Sequence, residues 1–168
     1  MKSIPVIIVV ILNLSLGTGA VAAQDEALFS TQSLVPEIAL KAATAALEKC
    51  RAGGYQISVA IVDRAGLLQV MLRDRFAGAH TLDTARRKAW TAASFRSDTS
   101  GIVQFIADNP QQQGLRQISE AMMIGGGKVI DAGGSLVGAI GVSGGPNPSV
   151  DEGCAVAGIE AIEVDIQF

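Results

Sequence analysis

Hydrophobic and polar residues along this chain alternate between helical and strand spacing. After Ser33 the apolar positions recur every three or four residues, which predicts an amphipathic helix that ends at the glycine pair 53–54. The spacing then changes to two, with Ile57, Val59 and Ile61 on one face. A turn at residues 63–66 separates this run from a second apolar run at 67–73, so the pattern predicts a β-hairpin.

The second half of the chain predicts another hairpin and three more helices. The hairpin pairs residues 128–131 with 135–142 across a glycine-containing turn, and the helices cover residues 81–94, 100–108 and a segment that begins at Asp151. A polar loop is predicted at 111–114, and the alternating tail 164–168 predicts an edge strand. The whole pattern indicates an α+β domain with an antiparallel sheet of about five strands flanked by helices.

The first 23 residues have the composition of a signal peptide. Lys2 precedes an apolar run at residues 4–16, which is followed by a zone of small residues up to Ala23. The run is shorter than the roughly 20 residues that span a bilayer as a helix, so no stable membrane anchor is expected after cleavage. We therefore predict a signal peptide at 1–23, cleavage near Ala23, a single domain at 24–168, and a periplasmic or secreted protein.

The charge of the chain argues against a nucleic-acid partner. Thirteen Lys and Arg residues face sixteen Asp and Glu residues, which gives a net charge of −3. The longest basic run, at residues 86–88, is too short for a phosphate-binding surface and predicts a solvated helix face.

The chain has two cysteines, Cys50 and Cys154, each within an apolar helical pattern. An exported protein permits a disulfide, but two buried thiols fit the pattern equally well. The sequence leaves both alternatives open.

Two segments resemble the GlcG/HbpS family, which includes the PduO C-terminal-like domain. One is the run from Ala79 to Ala89, Ala-His-Thr-Leu-Asp-Thr-Ala-Arg-Arg-Lys-Ala, and the other is the glycine-spaced run at 125–145. The similarity extends from about residue 34 to residue 162. It implies a profilin-like architecture, assembly into a homo-oligomer, and a link to haem or corrinoid pathways.

His80 is the single histidine and the first candidate ligand-binding residue. Given the resemblance, its imidazole is expected to ligate haem iron, with the hydroxyl of Thr81 as the alternative ligand. Phe76 would cover the porphyrin, and Arg86 and Arg87 would pair with its propionates. The competing interpretation is that His80 only caps a helix or binds a backbone carbonyl.

The glycines at 125–127 are a second candidate element. Backbone amides of Gly125, Gly126 and Gly127 would line a ligand cleft or an anion-binding nest. The alternative is close packing between a helix and the sheet, or between subunits. A single histidine also argues against the multi-histidine sites of zinc and non-haem iron.

The leading hypothesis is an exported haem-binding or tetrapyrrole-binding protein that binds, buffers or passes on its ligand. The sequence shows no catalytic set, so any assistance to haem degradation would be driven by the iron. Two alternatives stay open: a protein of glycolate-type metabolism that binds a small hydroxy or oxo acid, as carrier or enzyme accessory, and an assembly protein whose small-residue faces pack against its own copies.

Overall fold

The computed structural model describes residues 28–167, and from Thr31 onward they form one compact unit. The predicted signal peptide at 1–23 lies outside the described residues. The elements are α1 (Pro36–Ala52), β1 (Ser58–Asp63), β2 (Leu68–Arg73), α2 (His80–Phe95), α3 (Thr99–Asp108), a 3-10 helix (Pro110–Gln117), β3 (Gly127–Ala132), β4 (Ser135–Ser143) and α4 (Pro148–Glu160). Both predicted hairpins and the α+β class are confirmed.

Both hairpins belong to one antiparallel sheet with the strand order β2-β1-β4-β3. The central pair is β1 with β4, and its register runs from Ser58 opposite Ser143 to Asp63 opposite Gly138. The start of β1 and the end of β4 therefore meet at the same end of the sheet. The candidate functional site lies at that end.

The described residues contain four strands, so the prediction of about five was wrong. The tail from 161 to 166 forms turns instead of an edge strand. Its two buried residues, Ile162 and Ile166, are four positions apart and belong to the hydrophobic core, while Val164 between them is 84% exposed. This arrangement matches helical rather than strand spacing.

The sheet is covered by helices on both faces. Val59 and Ile61 of β1 pack with α1 and α4, whereas Ala60 and Val62 between them pack with α2. Alternate residues of a strand point to opposite faces. The fold therefore has three layers, with α1 and α4 on one side and α2 on the other.

Two predicted boundaries changed. Helix α4 begins at Pro148 rather than at Asp151, because Asn147 accepts a hydrogen bond from the Val150 amide and caps the helix three residues earlier. The segment predicted as a polar loop lies in the 3-10 helix Pro110–Gln117.

None of the helices within residues 28–167 is long and apolar enough to cross a membrane.

Cys50 and Cys154 form a disulfide, which resolves the alternative that the sequence left open. The bond joins the end of α1 to the middle of α4, with the two Cα atoms 5.5 Å apart. Both residues are buried in the layer between the helices and the sheet. The cross-link therefore fixes α4, whose first turn contributes to the candidate site.

Candidate functional site

An open cleft of about 550 Å³ lies at the end of the sheet where β4 leads into a glycine-containing loop. This volume is within the range of roughly 300–1,000 Å³ that is common for small-molecule sites. The cleft is bordered by the first part of α2, from His80 to Lys88, by the segment 143–148, and by residues from the neighbouring loops and from α4. Its lining comprises Gln56, Phe76, Gly78, His80, Thr81, Thr84, Lys88, Ile124, Ser143, Gly144, Gly145, Pro146, Asn147, Pro148 and Asp151.

His80 stands at the mouth of the cleft as the first residue of α2, and its side chain is exposed. The ring lies against the backbone of Gly78, where an added Cβ would be 2.7 Å from Cε1 and 2.9 Å from Nδ1. Its carbonyl accepts a hydrogen bond from Thr84 Oγ1, whereas its imidazole makes none with the described residues. Both ring nitrogens are therefore without a protein partner within the described chain.

Two apolar side chains border the same opening. Phe76 is 82% exposed and Ile124 is 43% exposed, and both line the cleft with His80. Exposed apolar side chains that cluster around a concave site are typical of ligand-binding surfaces. The mouth of the cleft thus combines an unpartnered imidazole with apolar surface.

Thr81 lines the cleft, but its hydroxyl is already hydrogen-bonded within the protein. Oγ1 donates to the Gly78 carbonyl at 2.6 Å and lies 2.7 Å from Ser58 Oγ. These contacts fix the start of α2 to the turn before it and to β1. Iron ligation by Thr81 would disrupt them, so His80 is the better placed of the two candidate ligands.

Arg86 and Arg87 do not line the cleft. Arg86 contacts Asp83 at 2.9 Å and Glu120 at 2.6 Å, and its hydrogen bond to Asp83, with the added contact to Glu120, raises its pKa above the ordinary value. Arg87 donates to the carbonyls of Glu120 and Ala121 at 3.1 and 2.9 Å. Both guanidinium groups thus connect α2 to the segment before β3.

The floor of the cleft contains an ion pair that the sequence analysis missed. Lys88 was predicted on a solvated face, yet it is 2% exposed. Its Nζ donates to Asp151 Oδ2 at 2.8 Å and to the Val142 carbonyl at 2.9 Å. Asp151 Oδ1 accepts the Gly145 amide at 2.8 Å, so one carboxylate holds both the ammonium and the loop after β4.

Helical spacing contains the signal that would have revealed Lys88. Positions 80, 84 and 88 are four residues apart and therefore lie along one side of α2. All three line the cleft. Arg86 and Arg87 fall between these positions, which explains why the two residues next to Lys88 in sequence face elsewhere.

The glycines at 125–127 pack behind this ion pair and do not line the cleft. At Gly126, where φ is +113°, an added Cβ would lie 2.8 Å from Asp151 Cβ and 2.9 Å from Lys88 Nζ. Gly127 packs against the backbone of Lys88, and its amide donates to Thr99 Oγ1 at 2.9 Å. An added Cβ at Gly125 would be 3.0 Å from Pro148 Cβ. Close packing therefore accounts for this run, and it makes room for the two charged side chains.

The fold and the site together define a small α+β domain with an open cleft, one imidazole at the mouth of the cleft and a buried ion pair at its floor. Among the described residues, no group of three or more His, Cys, Asp or Glu side chains is arranged to hold a metal ion.

The chain belongs to the HbpS-like family. The family model described as "Haem degrading protein HbpS-like" matches residues 34–160. This finding confirms the resemblance to the GlcG/HbpS family and places the chain among haem-related proteins. No curated protein sequence matches this chain.

Several solved structures are similar to this fold, among them the following three. A double mutant of Streptomyces reticuli HbpS is 39% identical, with 84% of this chain and 95% of that chain covered and a TM-score of 0.77. A PduOC:heme complex is 26% identical, with 77% and 95% covered and a TM-score of 0.70. Klebsiella pneumoniae protein ORFY has a TM-score of 0.79 over 84% and 98% of the two chains, and at 23% identity it is similar in fold alone.

Proposed function

We propose that this protein binds haem in the cleft at His80 and that it is exported. The observation that carries the proposal is the unpartnered imidazole at the mouth of a cleft bordered by Phe76 and Ile124. Membership in the HbpS-like family and similarity to a haem complex support the same ligand.

The residues of the cleft fit the chemistry of haem. An imidazole nitrogen is a common protein ligand of haem iron, and bound haem would supply redox-active iron. Phe76 and Ile124 offer apolar contact for a porphyrin face, and the polar floor offers donors to carboxylates. His80 would hold the iron, while the glycine at 78 leaves room for the imidazole ring.

We propose binding, buffering or transfer as the role. The cleft is open and His80 is exposed, which favours exchange of ligand with the surroundings over permanent enclosure. Any oxidative breakdown of haem would depend on the chemistry of the iron itself. Assembly into a homo-oligomer stays a prediction of the sequence.

The disulfide supports export. Disulfides form and persist in oxidising compartments and are rare in the cytosol. The Cys50–Cys154 bond is buried between α1 and α4 and is part of the folded core. It is consistent with the signal peptide predicted at 1–23 and with a periplasmic or secreted destination.

A hemin titration of the chain from Gln24 onward tests the ligand. We expect a saturable Soret band, and His80→Ala is expected to shift or abolish it because the iron loses its imidazole. Arg116→Ala, in the 3-10 helix and outside the cleft lining, is the matched control and should behave like the parent. A parent protein with no saturable band would overturn the haem proposal.

Export is tested separately, by expressing the full chain in a bacterium with two membranes. Mass spectrometry of the protein released from the periplasm or medium should show an N-terminus near Gln24. An uncleaved chain that stays in the cytosol would contradict this part of the proposal.

A further inference from the structure

The floor of the cleft carries two hydrogen-bond donors that the protein does not use. Lys88 and Ser143 both line the cleft and are 2% and 6% exposed. An ammonium has three N–H donors. Lys88 directs two hydrogen bonds, to Val142 and to Asp151, while the Ser143 hydroxyl makes none with another described residue. One N–H and one O–H are therefore left for a ligand.

Both donors face the open cleft, so a bound ligand can accept hydrogen bonds from them. The buried ion pair needs an explanation of its own. The desolvation of two buried charges offsets much of their attraction, so such a pair is weak evidence for a stabilising role. Its place at the floor of an open cleft indicates a ligand-binding role instead.

We propose that Lys88 and Ser143 form a carboxylate subsite at the floor of the cleft. A carboxylate only accepts hydrogen bonds and offers two oxygens, which matches one donor from α2 and one from the end of β4. Hydrogen bonds of this kind, with a charged donor or acceptor, are stronger than neutral ones. Asp151 acts as a positioning residue, because it holds the ammonium and, through Gly145, the loop beside Ser143.

The subsite and His80 are spaced along one helix. Eight residues at about 1.5 Å per residue separate the backbone positions of His80 and Lys88 by roughly 12 Å. Long side chains on a helix lean towards its N-terminus, which brings the ammonium nearer to the imidazole. A ligand with a metal at one end and a carboxylate arm at the other fits this arrangement.

A propionate arm of haem is one source of such a carboxylate, and a small free acid is the other. The assignment to propionate rests on the proposed function, whereas the subsite itself rests on Lys88 and Ser143. The structure thus shifts the expected anion contact from Arg86 and Arg87 to Lys88.

Hemin and hemin dimethyl ester, whose carboxylates are blocked, distinguish these cases. We expect the parent chain to bind hemin about tenfold more tightly than the ester, the size expected for a hydrogen bond to a charged group. Ser143→Ala should remove about this factor for hemin and leave the ester unchanged. Ser94→Ala, an exposed serine on α2, is the matched control.

Ser143→Ala is the informative variant because it breaks no hydrogen bond within the described protein. A change at Lys88 alone would leave Asp151 buried without its counter-ion and could destabilise the fold. Equal affinity for hemin and ester, or equal weakening of both by Ser143→Ala, overturns the subsite and leaves haem binding intact.

If neither hemin form binds, the proposed function fails and a thermal-shift measurement with sodium propionate decides the subsite. A ligand that binds only the native state raises the melting temperature. A rise in the parent that Ser143→Ala abolishes would support a subsite for a small acid. No rise in the parent would overturn the subsite.

Discussion

The two faces of the sheet are packed by side chains of very different size. The face covered by α1 and α4 buries large aliphatic residues such as Ile61 and Ile140 together with the disulfide. The face covered by α2 buries mainly alanines, including Ala85 and Ala89. On that face α2 approaches so closely that a Cβ added at Gly141 would collide with the Ala85 carbonyl.

This difference means that the two faces contribute differently: the aliphatic face mainly to stability, and the alanine face mainly to the cleft. Hydrophobic stabilisation grows with the apolar area that is buried, so the aliphatic face contributes most of it. The alanine face buries less apolar area but brings the backbone of α2 against β4. The buried polar residues Thr81, Lys88 and Thr91 belong to this side, and two of them line the cleft.

The ion pair between Lys88 and Asp151 links α2 on one face to α4 on the other. Breaking it should therefore have the largest effect on the free energy of unfolding. Asp151→Asn leaves the Lys88 ammonium buried without a counter-charge and should lower the free energy of unfolding by about 3–5 kcal/mol. Urea denaturation measures this loss. The double variant Lys88→Met/Asp151→Leu removes both charges and should recover most of the stability. A single variant as stable as the parent would show that the pair is not buried in solution.

Removing the disulfide tests how much the face covered by α1 and α4 contributes to stability. Replacing both cysteines by alanine opens a cross-link between residues 104 positions apart and should cost about 2–5 kcal/mol. The comparison is between the parent and the variant in urea, each with and without reductant. Reductant should lower the stability of the parent towards that of the variant and leave the variant unchanged, and equal stability under oxidising conditions would contradict the cross-link.

Two glycine substitutions test the close approach of α2. Gly141→Ala should cost about 1–3 kcal/mol, because the added methyl overpacks the contact with the backbone of α2. Gly153→Ala, in α4, meets no atom within 4 Å and should stabilise the protein slightly, since alanine favours helix. Thermal unfolding of both variants gives the comparison. A neutral Gly141→Ala would mean that the two backbones are not in contact.

The smallest expected effect is the pH dependence of a contact between α1 and the turn after β2. Arg51 donates from Nε and Nη2 to the two oxygens of Asp74, both at 3.0 Å, and this lowers the pKa of the Asp74 carboxyl. A folded-state pKa below the unfolded value adds stability at neutral pH that is lost as the pH falls through the folded-state value. The stability advantage of the parent over Asp74→Asn should therefore be present at pH 7 and fade below about pH 4. A constant difference across this range would show that the pair does not form.

Local patterns predicted the elements well because spacing reports which residues of a helix or strand face the core. The first hairpin and the helix after Ser33 followed from periods of two and of three to four. The prediction of an edge strand in the tail was wrong because contacts with distant core residues determine which of its residues are buried. The prediction for Lys88 was wrong because a charge predicts exposure, whereas partners 54 and 63 positions away accept its hydrogen bonds in the interior.

The amino-acid sequence by itself determined the α+β class, the two hairpins, the position of His80 at the start of a helix, and the family. Those features depend on residues close together in the chain or on recognisable segments. The tertiary structure decided that Cys50 meets Cys154, that Arg86 and Arg87 turn away from the cleft, and that Lys88 and Asp151 form its floor. These outcomes depend on how α4 and β4 meet α2, because contacts between distant residues are set by packing and not by local spacing.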